Sequence, residues 1–397
     1  MEITNRFSDI ATKMRGSEIR ELLKYADKPD LISFGGGYPN PESFPLAVLK
    51  QIFLDLLQTH GSKIFQYGST EGLAELREEL SKKLARDYNI KAPKENILIS
   101  TGSQQGLYMM GKILINPEDL IITEAPTYLA ALAAFRASYA KIKGIDMDEN
   151  GLRTDILEET LKKSEVMPKL VYVIPTFQNP AGITMSLDRR KHLVEIASKY
   201  DLLILEDDPY GHLRFSGPSL PPVAELDKEG RTIYLGTFSK ILAPGLRIGY
   251  IAGNNEIIKK LNLTKQVTDL CASTLSQYIA YEYLKNGYIN DQIPKIIEMY
   301  RMKRDLMINT LEEIAPKGIE WTKPDGGMFL WLKTFSHIDT EKMLPNALKN
   351  GVAYVIGSAF YPDRNVKNDM RLNFTYPSDA NIVEGIKRLI KTIKEEV

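Results

Sequence analysis

Short apolar runs alternate along this chain with longer stretches in which apolar residues recur every three or four positions. Asn96 to Thr101 (NILIST), Leu170 to Ile174 (LVYVI), Leu202 to Leu205 (LLIL) and Thr232 to Thr237 (TIYLGT) are continuous apolar runs. Runs of that length predict strands buried on both faces. Between Leu46 and about Leu284 such strands alternate with helical patterns, among them Leu107 to Leu114, which predicts a mostly parallel sheet covered by helices. Upstream, the stretch from Asp9 to Tyr25 predicts an amphipathic helix, with Ile19, Leu22, Leu23 and Ala26 on one face. A short strand, Leu31 to Phe34, then runs into Gly35, Gly36 and Gly37, where a backbone can approach another group closely. From Ile293 a long helical run leads to a different texture. Met328 to Leu332, Ala353 to Ile356 and Met370 to Phe374 predict a smaller sheet, and Asp379 to Glu396 a final helix. The change of texture predicts two domains, one over 46–292 and a smaller one from 1–45 and 293–397.

The residues just past each strand carry the candidate chemistry. Ligands of parallel α/β sheets bind beyond the carboxyl ends of the strands. Leu202 to Leu205 runs into Glu206-Asp207-Asp208-Pro209-Tyr210, and TIYLGT runs into Phe238-Ser239-Lys240. One strand therefore brings a carboxylate, Asp207, to that edge, and another brings an amine, Lys240. A carboxylate for a pyridinium nitrogen and a lysine for an aldehyde are what pyridoxal phosphate requires of a protein. NILIST leads through Gly102-Ser103-Gln104-Gln105-Gly106 into a helix whose first amides suit an anion. Leu170 to Ile174 leads into Pro175-Thr176-Phe177-Gln178-Asn179-Pro180, which puts Asn179 at the same edge. Each signal is weak by itself. Four strand ends converging on one anionic, aldehyde-bearing cofactor are specific.

Composition narrows the setting. At 397 residues the chain exceeds one ordinary core. With 51 basic and 51 acidic side chains it has no net field to draw nucleic acid or an anionic membrane. Cys271 is the single cysteine, and His60, His192, His212 and His337 have no metal-binding spacing, so disulfides and a zinc site are not expected. MEITNRFSDI lacks the apolar core of a signal peptide, and no run approaches a membrane span. These features predict a soluble, cytoplasmic protein.

Five motifs then carry a family resemblance: TGSQQGL (Thr101 to Leu107), PTFQNPAG (Pro175 to Gly182), EDDPYG (Glu206 to Gly211), GTFSKILAPGLRIGY (Gly236 to Tyr250) and MRLNF (Met370 to Phe374). In order and spacing the chain resembles the fold-type I, pyridoxal-phosphate-dependent aminotransferases of class I/II. It is most similar to the branch holding 2-aminoadipate, kynurenine and aromatic aminotransferases. The resemblance implies an α/β fold with a mostly parallel seven-stranded sheet in the large domain, a smaller α+β domain, and pyridoxal 5'-phosphate as cofactor. It implies that Lys240 bonds the cofactor and serves as base, that Asp207 pairs with the ring nitrogen, and that Tyr210 and Asn179 bond the ring's phenolic oxygen. Tyr128 would stack on the ring, and Ser103, Gln104, Ser239 and Arg247 would hold the phosphate. Tyr67 would reach the neighbouring subunit's phosphate, which makes a homodimer the expected unit. Thr237 stands where the family pattern has serine and keeps the hydroxyl. Arg371 and the Gly37 amide would bind the substrate α-carboxylate, and Arg20 would read a side-chain carboxylate. The activity implied is transfer of an amino group from an L-amino acid to a 2-oxo acid such as 2-oxoglutarate. Two alternatives share the cofactor: a lyase or synthase of this fold, and a non-catalytic sensor. The sensor is disfavoured because about 30 residues precede the Gly-rich turn, too few for a DNA-binding domain. A dehydrogenase is disfavoured because no G-x-G-x-x-G follows a strand.

Overall fold

In the computed structural model residues 3–13, 16 and 30–397 are described. The helix predicted from Asp9 is seen there as Asp9–Lys13, and Arg20 lies outside the described residues. In chain order the described strands are β1 (Ile32–Ser33), β2 (Ile97–Ser100), β3 (Leu120–Ala125), β4 (Lys141–Asp148), β5 (Gly151–Leu152), β6 (Leu170–Val173) and β7 (Leu203–Asp208). They continue with β8 (Thr232–Thr237), β9 (Gly249–Ala252), β10 (Glu320–Trp321), β11 (Phe329–Lys333), β12 (Val352–Ala353), β13 (Val355–Ile356) and β14 (Asp369–Asn373).

The large sheet runs β2-β9-β8-β7-β6-β3-β4-β5. The pairs β8–β7, β7–β6, β6–β3 and β3–β4 are parallel. β2, β6 and β8 are buried along their whole length, as continuous apolar runs between two helical layers must be. The sheet holds eight strands where the resemblance implies seven. The extra strand, β5, folds back on β4 through the two-residue loop Glu149-Asn150, with Asp148 opposite Gly151.

β9 is the reversed strand of the interior, antiparallel to both β2 and β8. It therefore begins at the edge where its neighbours end, and Gly249 lies opposite both Ser100 and Thr237. This reversal carries Arg247, two residues earlier, to the carboxyl edge. A Cβ on Gly249 would lie 2.7 Å from backbone atoms of Gly102 and Ser103, so only glycine lets the turn after β2 rest on β9.

The smaller sheet, β10-β11-β14-β13, is antiparallel throughout. The predicted run Ala353 to Ile356 is divided: β12 pairs with β1, whereas β13 pairs with β14. The helix Tyr288–Ile314 connects the two regions, so the boundary at 292/293 falls within a continuous helix. One apolar core spans both sheets, with Leu205 and Leu235 from one and Phe329 and Leu372 from the other. The helix Asp379–Glu395 closes the chain on that core through Ile382, Ile386, Leu389 and Ile393. Among the described residues no helix is long and apolar enough to cross a membrane.

Gly249→Ala is expected to push the Gly102 turn off β9 and to destabilise the protein by about 1–3 kcal/mol, the usual cost of overpacking. Urea unfolding measures this. An unchanged midpoint would mean that the turn has room to move.

Candidate active site

The carboxyl ends of β2, β6, β7 and β8 lead to Ser103, Asn179, Asp207 and Lys240 at one edge of the large sheet. Strand alternation separates the two neighbouring aspartates after Glu206. Asp208 turns away: its Oδ1 accepts from Gly211 N at 2.8 Å and its Oδ2 from Tyr234 OH at 2.7 Å. Asp207 faces the site, 2 % exposed, with Oδ2 accepting from Tyr172 OH at 2.9 Å. Its Oδ1 is buried and has no hydrogen-bond partner among the described residues.

Lys240, half-buried just beyond β8, donates from Nζ to the Gly37 carbonyl at 2.8 Å. The Gly-rich turn thus meets the lysine through its carbonyl oxygen. Arg371 comes from β14 of the smaller sheet and is 1 % exposed. Its Nη1 donates to Asn179 Oδ1 at 2.9 Å and its Nη2 to the Gly35 carbonyl at 3.0 Å. Its guanidinium lies 4.0 Å from the Phe329 ring centroid, and its Nε has no partner among the described residues. Asn179 Nδ2 donates in turn to Tyr210 OH at 3.3 Å. Arg371, Asn179 and Tyr210 thus form one continuous relay.

Burial dominates the electrostatics. It raises the Asp207 carboxyl to about 7, against the opposing Tyr172 hydrogen bond, and the nearby Asp208 adds to the rise. It lowers Lys240 to about 8, with repulsion from Arg371 and Arg247 in addition. Desolvation lowers Arg371 to about 10 and raises the Tyr210 phenol.

The turn after β2 forms a cradle. Ser103 begins the helix Ser103–Leu114, whose first amides are free of intrahelical partners. Arg247, at φ +54°, lies over the turn, with Nη2 donating to the Thr101 carbonyl at 3.4 Å. A Cβ on Gly102 would come within 2.5 Å of that Nη2. The Thr237 hydroxyl donates to Ser239 Oγ at 3.0 Å and accepts from Ser239 N at 3.1 Å, so Thr237 orients Ser239. Gln104 directs its side-chain amide to the Ala130 carbonyl at 3.2 Å. Tyr128, half-buried, precedes the helix Leu129–Arg136. Tyr67 stands apart, 79 % exposed.

Several residues at this edge carry no signal in the sequence that would single them out. Tyr172 is hidden within an apolar strand. Glu124 accepts from Ile174 N at 3.2 Å and from Gln178 Nε2 at 3.0 Å, which braces the loop carrying Asn179. Arg190, fully buried, donates to the carbonyls of Pro175, Met185 and Pro221 and holds the same loop. For Tyr172 and Glu124 only the oddity of a polar group inside an apolar run marks them, and Arg190 lies in a charged helix with nothing to set it apart.

A buried carboxylate oxygen without a partner, a lysine of lowered pKa and an anion cradle fit the ring nitrogen, aldehyde and phosphate of pyridoxal phosphate. They define a site for amino-group chemistry on that cofactor. The profile of the family Aminotransferase class I and II matches residues 30–389. Aromatic-amino-acid aminotransferase 1 of Thermococcus litoralis is 51 % identical over 394 residues, covering 98 % of this chain and 94 % of that protein. The 2-aminoadipate transaminase of Thermus thermophilus is 35 % identical, covering 98 % of this chain and 96 % of its own length. The crystal structure of Pyrococcus horikoshii kynurenine aminotransferase superposes with a TM-score of 0.97 at 49 % identity, over 100 % of this chain and 98 % of that one. The chain belongs to the class I and II aminotransferases, and its cofactor is pyridoxal phosphate.

Asp207 binds its proton more tightly in the folded chain, at about 7 against 3.8. Folded protein then holds an extra proton between about pH 4 and 7, so stability falls as pH rises through that window. In the cofactor-free protein Asp207→Asn removes this penalty. Its thermal midpoint should exceed the parent's at pH 8, reflecting a stability gain on the order of 2 kcal/mol, and converge with it at pH 4. Equal midpoints at pH 8 would mean that the ionised carboxylate is well compensated.

Proposed function

We propose that this aminotransferase moves the amino group of aromatic amino acids, kynurenine, 2-aminoadipate or similar L-amino acids to a 2-oxo acid, with 2-oxoglutarate the foremost acceptor. The observation that carries the reading is the convergence of Lys240, the unpaired Asp207 Oδ1 and the Arg371 guanidinium at one sheet edge. The names of the relatives support a broad choice of donor. The lyase and sensor alternatives are not favoured, because relatives at 49–51 % identity are named aminotransferases.

When bound, pyridoxal phosphate supplies an aldehyde for amines and a cationic ring that draws electron density from the substrate Cα. Asp207 Oδ1 holds the proton on the ring nitrogen, since an adjacent carboxylate favours that charge. Tyr210 and Asn179 bond the ring's phenolic oxygen, and Tyr128 covers its face. Ser103, Gln104, Ser239 and Arg247 hold the phosphate, with Thr237 keeping Ser239 in place. Arg371 turns its planar fork from Asn179 and Gly35 to the substrate α-carboxylate, helped by the Gly37 amide. Lys240 would hold the cofactor through its Nζ; as a free amine that Nζ would take the proton from Cα, and its lowered pKa would leave a fraction unprotonated near neutral pH.

The proposed unit is a cytoplasmic homodimer, with Tyr67 of the partner subunit completing each phosphate site. The high exposure of Phe65 (63 %) and Tyr67 (79 %) supports this. The proposed domains are 46–292 and 1–45 with 293–397. The separate sheets support the division, as does β1, whose partner β12 belongs to the later segment.

Lys240→Ala is expected to lose at least 10²–10⁴ in transamination rate, roughly the contribution of a positioned base. Glutamate formed from 2-oxoglutarate measures it across a panel of donors, and parent-like rates would sink the assignment. Arg20→Ala is expected to weaken kcat/KM for 2-aminoadipate and glutamate about ten- to a hundredfold while sparing aromatic donors. Equal losses on both classes would leave Arg20 no part in reading the substrate.

A further inference from the structure

A carboxylate that serves a ring nitrogen must keep one oxygen open and must not rotate away. Asp207 differs in this from its neighbour Glu206, which has both oxygens engaged, Oε1 by Val223 N at 2.9 Å and Oε2 by Ala224 N at 2.8 Å. Asp207 has Oδ2 engaged by Tyr172 and Oδ1 open.

The strand register explains how Tyr172 reaches it. Tyr172 on β6 lies opposite Leu205 on β7, and the two-residue period returns to the same face at Asp207. The phenol then reaches along the sheet to the carboxylate. Its ring is fully buried and fixed edge-on by Phe135, with centroids 5.7 Å apart at 69°. The other titratable groups around Asp207 are Asp208 on its own strand, Glu124 at the end of β3, Tyr128 in the following loop, and Tyr210 beyond β7. Among the described residues no hydrogen bond joins any of these four to the Asp207 carboxylate. Of the titratable groups around it, Tyr172 is the one that holds it.

We propose that Tyr172 is a positioning residue for transamination: its hydroxyl fixes the Asp207 carboxylate so that Oδ1 faces the cofactor ring, and it favours the ionised form of that buried carboxylate. The proposal deepens the reading of Asp207 as the partner of the ring nitrogen and rests on it. Losing one hydrogen bond to a buried carboxylate has two consequences. The carboxyl becomes a weaker acid, and the open oxygen loses its fixed direction. The cofactor ring then meets a mobile and more often neutral group.

The test is Tyr172→Phe, which removes one oxygen and keeps the ring. In the cofactor-free full chain labelled with ¹³C at aspartate carboxyls, the Asp207 resonance is identified by its loss in Asp207→Asn. Its midpoint in Tyr172→Phe should move up by at least about one pH unit, and pyridoxal phosphate should bind about tenfold or more weakly. Phe135→Leu, which loosens the ring but retains the hydroxyl, should shift both readings clearly less than Tyr172→Phe does. An unmoved midpoint in Tyr172→Phe, or an equal shift in Phe135→Leu, overturns the proposal. Parent-like cofactor affinity in Asp207→Asn overturns instead the reading of Asp207 beneath it.

Discussion

The site depends on a carboxylate at the end of β7 that is buried and, among the described residues, has one of its two oxygens satisfied. Burying an ion without a partner is costly, and the chain answers by raising the carboxyl's pKa to about 7. A cationic ring nitrogen beside Oδ1, as proposed, would reverse that situation, because the same low dielectric that penalises the lone charge strengthens a pair. Arg371 carries a parallel deficit: it is 1 % exposed, is lowered to about 10 by desolvation, and is held by a neutral amide and a carbonyl rather than by an anion. A cationic ring beside Asp207 and a substrate carboxylate beside Arg371, as proposed, would offset both deficits.

The two sheets are joined at this point. Asp207 and Lys240 belong to ends of the large sheet, whereas Arg371 sits inside β14 of the smaller one. The Arg371–Asn179–Tyr210 relay crosses between them. The apolar core shared by the sheets keeps both ends of the relay in register.

Support behind the contact residues is as dense as the contacts themselves. Arg190 and Glu124 pin the loop bearing Asn179 from two sides, Thr237 aims Ser239, and Gly249 lets the Gly102 turn lie flat on β9. None of these residues needs to touch a ligand. Each removes a freedom that a catalytic or binding side chain would otherwise have to lose on binding.

Much of this was legible in the sequence, because its signals are local. Continuous apolar runs marked β2, β6 and β8 to within a residue at each end, and the polar groups just beyond these runs and beyond Leu202 to Leu205 put Ser103, Asn179, Lys240 and Asp207 at the sheet edge. Local pattern could not assign partners. That Ala353 to Ile356 would divide between two sheets, that β9 would run backwards and deliver Arg247, and that Tyr172 would hold Asp207 all depend on register between segments far apart in sequence. A tyrosine in an apolar strand looks like core until a neighbouring strand sets a carboxylate within 2.9 Å of its hydroxyl. The sequence determined which chemical groups stand at the strand ends. Only the tertiary structure decided which of them are left unpaired, because burial and hydrogen bonding are properties of the packed neighbourhood.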